Sequence, residues 1–177
     1  MLFAAVAPLL VACHLSTSPL CEFSQPSNIK TGMLHQEFTE LLQRSETFRR
    51  QCARIAATRV LRVTLQVGRH LDPLARAETI IDKYEAGSIR AAVTLRFGED
   101  YLELLAHEFE HIIEQIDRVS LGDEVIRGSA WRAPNGAFET RRAFDAGLRA
   151  REEYEAHAPD AIHAETVRSA ARKPPFD

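Results

Sequence analysis

The segment from Glu99 to Val119 constrains this chain more than any other. Leu104, Leu105, Ile112, Ile113 and Ile116 recur at helical spacing, the signature of an amphipathic helix with one buried face. Inside it stands His107-Glu108-Phe109-Glu110-His111. Residues four apart on a helix differ by about 40° around the axis and one turn along it, so the two imidazoles project side by side, next to the core. Any fold containing this segment has to cover the apolar stripe and leave both rings facing one space.

The rest of the 177 residues supplies the cover. That length suits one domain and is enough to bury a substantial core. A net charge of −3 excludes a strongly basic binder that works by neutralising phosphates, so no nucleic-acid partner is expected. Apolar residues at Leu34, Phe38, Leu41, Leu42, Phe48, Cys52 and Ile55 predict an amphipathic helix over 32–57, broken near Ser45. The partial alternation of Arg59–Val67 predicts a strand. Ala77–Tyr84 and Ile89–Phe97 predict a β-hairpin around Glu85-Ala86-Gly87-Ser88, although Arg76–Tyr84 also fits a short helix. After the 99–119 helix, residues 121–135 read as a loop, and a last helix is expected over 136–157, stopped by Pro159. This order predicts an α+β fold, with a small, mostly antiparallel sheet packed on the central helix and on the downstream one.

The N-terminus carries a different kind of information. Met1 to Ala12 is apolar throughout, too short to span a bilayer, and of a length that suits a secretory signal. Leu10-Val11-Ala12-Cys13 resembles a bacterial lipobox, in which the Cys is lipidated, although no Lys or Arg precedes the apolar run. Residues 1–13 are therefore read as a signal peptide or lipoprotein signal, 14–31 as a tether and 32–170 as the folded domain. The expected location is outside the cytoplasm, in a bacterial cell envelope or the extracellular space, with membrane attachment through a lipidated Cys13. Cys21 and Cys52 then remain, either as a bridge or as two buried thiols. Neither sits in a sequence that marks a nucleophile.

Two imidazoles four residues apart span a distance that one Zn²⁺ bridges with bonds of about 2.0–2.1 Å. Glu108, beside them but not binding, is placed to take a proton from an activated water. HEFEH matches the HExxH pattern, and the chain from about residue 75 to 157 resembles the zincin metallopeptidases. The resemblance implies a strand running along a cleft that binds substrate by edge pairing, above the HExxH helix; Ile89–Phe97 fits that strand.

Zincin subgroups differ in their third ligand. The metzincin extension would use the positions of Glu114 and Asp117, but the required Gly is missing. On a continuing helix Asp117 lies about 15 Å along the axis from His107 and about 80° around it. The only Met residues are Met1 and Met33, so a Met-containing turn under the metal is absent too. The gluzincin pattern, with a Glu on a later helix, points to Glu139 in the first turn of the last helix, with Asp123 and Glu124 as competitors. The small residues Ala143, Ala146 and Gly147 would let that helix approach closely. Such enzymes often carry an acidic partner for a His four positions after the ligand; here that position is Ala143. Tyr101, Tyr154 and His157 are candidates for stabilising an oxyanion.

The chain thus resembles a compact minigluzincin. The resemblance implies an exported zinc-dependent metallopeptidase acting on a peptide or protein, with His107, His111 and Glu139 on Zn²⁺ and Glu108 as general base. The alternative is a catalytically inactive zincin-like envelope domain that binds metal or peptide; a third reading is a structural domain in which HEFEH is coincidental. Glu103, Glu110 and Glu114 read as the solvated face of the central helix, within reach of surface pairing with Arg141, Arg142, Arg149 and Arg151.

Overall fold

A computed structural model of the chain describes residues 24–68, 71–84 and 87–157. The signal and lipidation expectations for 1–13, and Cys21, lie outside these residues. Cys52 is a buried free cysteine, and burial pushes its thiol well up from the ordinary range. Among the described residues no helix is long and apolar enough to cross a membrane.

Strand β1 (Ile29–Lys30) is followed by a 3-10 turn over Gly32–Leu34 and by helices α1 (His35–Arg44) and α2 (Glu46–Ala57). The break expected near Ser45 is there. Ser45 is extended at φ −107° and ψ 120°, and its hydroxyl accepts from Phe48 N at 3.0 Å, capping α2. Strands β2 (Leu61–Gly68), β3 (Ala77–Lys83) and β4 (Ile89–Arg96) then lead into α3 (Tyr101–Ile116), which Asp100 caps by accepting from Leu102 N. Helix α4 (Leu121–Ile126), strands β5 (Ala130–Arg132) and β6 (Phe138–Thr140), and α5 (Arg141–Ala156) complete the chain.

The fold is α+β, as the sequence predicts, but its sheet is mixed rather than mostly antiparallel. The order is β1-β2-β4-β3, with β1 and β4 both parallel to β2, and β3 antiparallel to β4. The connection after Gly68 carries the chain to the far edge before β3 begins. The hairpin then returns β4 into the gap, in register Leu61↔Ile89 through Gly68↔Arg96. Leu61, Val63 and Leu65 of β2 and Ala91, Val93 and Leu95 of β4 are buried on one face, which packs on the helices.

The folded domain also starts earlier than Gly32. Ile29 pairs with Val63 and is fully buried, and the Asn28 amide donates to the carbonyls of Ile55 and Leu61. The end of the segment read as a tether is therefore part of the sheet.

Phe38, Phe48 and Phe109, from α1, α2 and α3, form an aromatic cluster with ring centroids 5.0–6.2 Å apart. Burying each such ring stabilises by roughly 1.5–3 kcal/mol, which anchors α3 from beneath. Helix α5 packs against α3 on the other side. Its start lies five residues beyond the expected one, because Thr140 is the cap: its hydroxyl accepts from Ala143 N at 2.9 Å.

Candidate metal centre

Helix α3 turns its apolar stripe to the core and presents His107 and His111 at the boundary, both side chains 16% exposed. The rings meet edge to face with centroids 4.9 Å apart, and the two Nε2 atoms are 3.2 Å apart. Glu139 comes from β6, not from the first turn of α5. Gly136, at φ +82°, closes a tight turn in which its N–H donates to Ala133 O at 2.8 Å; the short β5–β6 pairing then sets Glu139 opposite Trp131. From there Glu139 Oε2 lies 2.9 Å from His107 Nε2 and 3.6 Å from His111 Nε2.

Donor atoms of these three residues all lie within 4.8 Å of one another, a group that could hold a metal ion. Neither Asp123 nor Glu124 joins it. Glu124 is engaged by Arg127 and Ser129 instead.

The charges in the site are strongly coupled. Burial opposes a charge on His111, but the hydrogen bond to Glu114, with the nearby Glu139 and Glu108 carboxylates, outweighs it and pushes the imidazole up to about 10. Burial would likewise raise Glu139, yet the hydrogen bond with His107 and the close approach of His111 hold it down at about 2. Glu108 is 5% exposed, and desolvation raises it against the pull of both histidines. Its Oε2 accepts from the Thr79 hydroxyl at 2.5 Å.

Thr79 belongs to β3, which corrects the expected role of the hairpin. Strand β4 is bonded on both sides, to β2 and β3, and has no free edge. The edge strand is β3. It borders a cleft of about 550 Å³ whose lining includes Ala77, Thr79, His107, Glu139, Phe138 and Phe144.

The three candidates for an oxyanion group lie elsewhere. The Tyr154 hydroxyl donates to Glu40 at the junction of α5 with α1, Tyr101 accepts from Gly98 N, and His157 meets its own helix at Glu153 O. None of them lines the cleft.

Two acidic residues read as solvated are buried. Glu110 accepts from Gln51 Nε2 at 2.7 Å and from Arg142 Nε. Glu114 is 2% exposed; His111 Nδ1 is 2.8 Å from its Oε2, and the Thr140 hydroxyl donates to its Oε1 at 2.6 Å. The signal for Glu114 was its spacing, three after His111 and seven after His107, on the ligand face of the helix. The expected pairing of α3 with α5 holds for Arg142, which meets Glu110 and Asp117, and for Arg151, which meets Glu103.

No family model matches the chain, and neither the curated proteins nor the solved structures contain a match.

Proposed function

We propose that the chain is a zinc-dependent peptidase of the zincin type, with a gluzincin-like ligand set of His107, His111 and Glu139 and with Glu108 as general base. The observation that carries this reading is the spacing of the three donor atoms: 2.9, 3.2 and 3.6 Å. A tetrahedral ion with bonds of about 2.0–2.1 Å separates its donors by about 3.3–3.4 Å, so the side chains fit such an ion with little movement. Two imidazoles and one carboxylate lining the cleft would make the donor set of a catalytic rather than a structural zinc site. When bound, Zn²⁺ supplies Lewis acidity toward a carbonyl and lowers the pKa of water.

The chain's own groups do the rest. Glu108 stands beside the ligands without joining them, and its burial raises its carboxyl above the ordinary value. The Thr79 hydroxyl, donating to Oε2, would hold the carboxylate in orientation, and Glu108 would take a proton from the attacking water and return it to the leaving amine. Among the described residues strand β3 pairs only with β4, and its open edge offers backbone groups to an extended peptide. The exported location belongs to the same proposal and rests on residues 1–13.

The test is metal content by elemental analysis, together with cleavage of a broad peptide library with and without a chelator. Cleavage that is lost on chelation and restored by Zn²⁺ is the expected result. Metal uptake without cleavage would leave the binding-domain reading, and no uptake would end both.

A further inference from the structure

A carboxylate as buried as Glu114 is costly unless its oxygens are satisfied, and the way they are satisfied is informative. Oε2 faces His111 Nδ1 at 2.8 Å, and Oε1 accepts from Thr140 Oγ1 at 2.6 Å. Thr140 directly follows Glu139 in β6, and its own oxygen accepts from Ala143 N to cap α5. One carboxylate therefore ties a ring of α3 to the backbone segment that presents the third member of the metal group.

We infer that Glu114 is the positioning residue of the metal centre, acting through His111 on one side and through Thr140 on the other. The inference rests on the metal-site reading proposed above. By accepting from Nδ1–H, Glu114 fixes the tautomer of His111 in which the Nε2 lone pair is turned toward His107 and Glu139. By accepting from Thr140, it holds the β6–α5 junction at the distance where Glu139 Oε2 meets both imidazoles. Glu114 is not one of the converging donors, which are His107, His111 and Glu139. A purely structural buried carboxylate would need only hydrogen bonds, whereas this one spends both on the residues that set donor positions.

The experiment uses the full chain, stripped of metal, and measures Zn²⁺ affinity by competition with a chelating indicator and the absorption spectrum of Co²⁺. Uptake of one Zn²⁺ by the wild-type chain, with a tetrahedral Co²⁺ spectrum, establishes the site; no uptake sinks the metal-site reading and this inference with it. Glu114→Gln keeps the shape and removes the charge. It is expected to weaken Zn²⁺ binding by roughly 10–100-fold and to alter the Co²⁺ spectrum. Wild-type affinity and spectrum in Glu114→Gln would overturn the inference and leave the site standing. A second measurement needs no variant: nitrogen-15 NMR of the zinc-loaded wild-type chain should find hydrogen on His111 Nδ1 and metal on Nε2, and the reverse arrangement would overturn the proposal.

Discussion

Gly147 of α5 lies against the backbone of Glu103 in α3 so closely that a Cβ there would stand 3.0 Å from the Glu103 carbonyl oxygen and 3.3 Å from His107 Cβ. The nearest obstacle is a backbone carbonyl and the next a Cβ, neither of which can swing aside, so the two helices would have to part by a few tenths of an ångström. Gly147→Ala is therefore expected to destabilise the fold by about 1–3 kcal/mol despite the better helix propensity of Ala. The separation would also carry Glu139 away from His107 and weaken Zn²⁺ binding. Urea unfolding of the metal-free chain, alongside a Zn²⁺ titration, checks both effects; unchanged stability would mean that the helices are not in tight contact at this point.

Glu108→Gln separates binding from chemistry. The amide is nearly isosteric with the carboxylate, and its oxygen can still accept from Thr79, so the three side chains proposed to hold the metal keep their places. What it cannot do is take a proton. Hydrolysis is expected to fall by about 10²–10⁴-fold, the usual contribution of a general base, with bound zinc unchanged. Elemental analysis and a peptide-release assay on the same preparation provide the check, and residual activity close to wild type would remove Glu108 from the base role.

Thr79→Val asks whether the edge strand orients the base. Val matches Thr in shape and β propensity, so β3 should keep its pairing with β4, including Thr79↔Val93. The lost hydroxyl leaves the Glu108 carboxylate free to rotate. A fall in kcat of about tenfold is expected, consistent with one hydrogen bond to a charged group, with KM little changed and Thr79→Ser close to wild type. A change confined to KM would instead assign Thr79 to substrate contact.

The parts of this arrangement that were legible in the sequence are those encoded by local periodicity. Helix α3, the break at Ser45 and the adjacency of His107 and His111 all follow from spacing along one helix. Glu139 could be picked out because a carboxylate was needed after a loop of suitable length, but its element could not. Gly136 looked like a helix start, whereas its positive φ serves a turn and Thr140 does the capping. Which hairpin strand forms the edge depends on where the connection after Gly68 crosses, and no local pattern records that. Charge usually means solvent, so the sequence alone reads Glu110 and Glu114 as a solvated face. Their burial is decided by partners from distant elements, Gln51 and Arg142 for one, Thr140 for the other.

A last prediction concerns pH and a contact far from the cleft. Glu153 of α5 reaches the start of α2, where its Oε2 accepts from the Ser45 hydroxyl at 2.6 Å and from Thr47 N at 2.8 Å, and its Oε1 accepts from the Thr47 hydroxyl at 2.8 Å. Burial alone would raise this carboxyl, but these bonds, with the Arg50 charge nearby, outweigh it and hold the group below its ordinary value of 4.5. A carboxyl lowered by folding stabilises the folded state fully above its unfolded value, and that stabilisation is lost as pH falls through the lower folded value. Glu153→Gln keeps one acceptor and loses the charge, so at pH 7 it should cost about 1–2 kcal/mol, the lower part of the range for bonds to a charged group because the site is only partly buried. The deficit should shrink as pH drops below about 4.5, where the wild-type carboxyl also becomes neutral. Urea unfolding of both proteins at pH 7, 4 and 3 measures it: a difference that converges in acid identifies the charged latch between α5 and α2, and one that stays constant would assign the cost to packing.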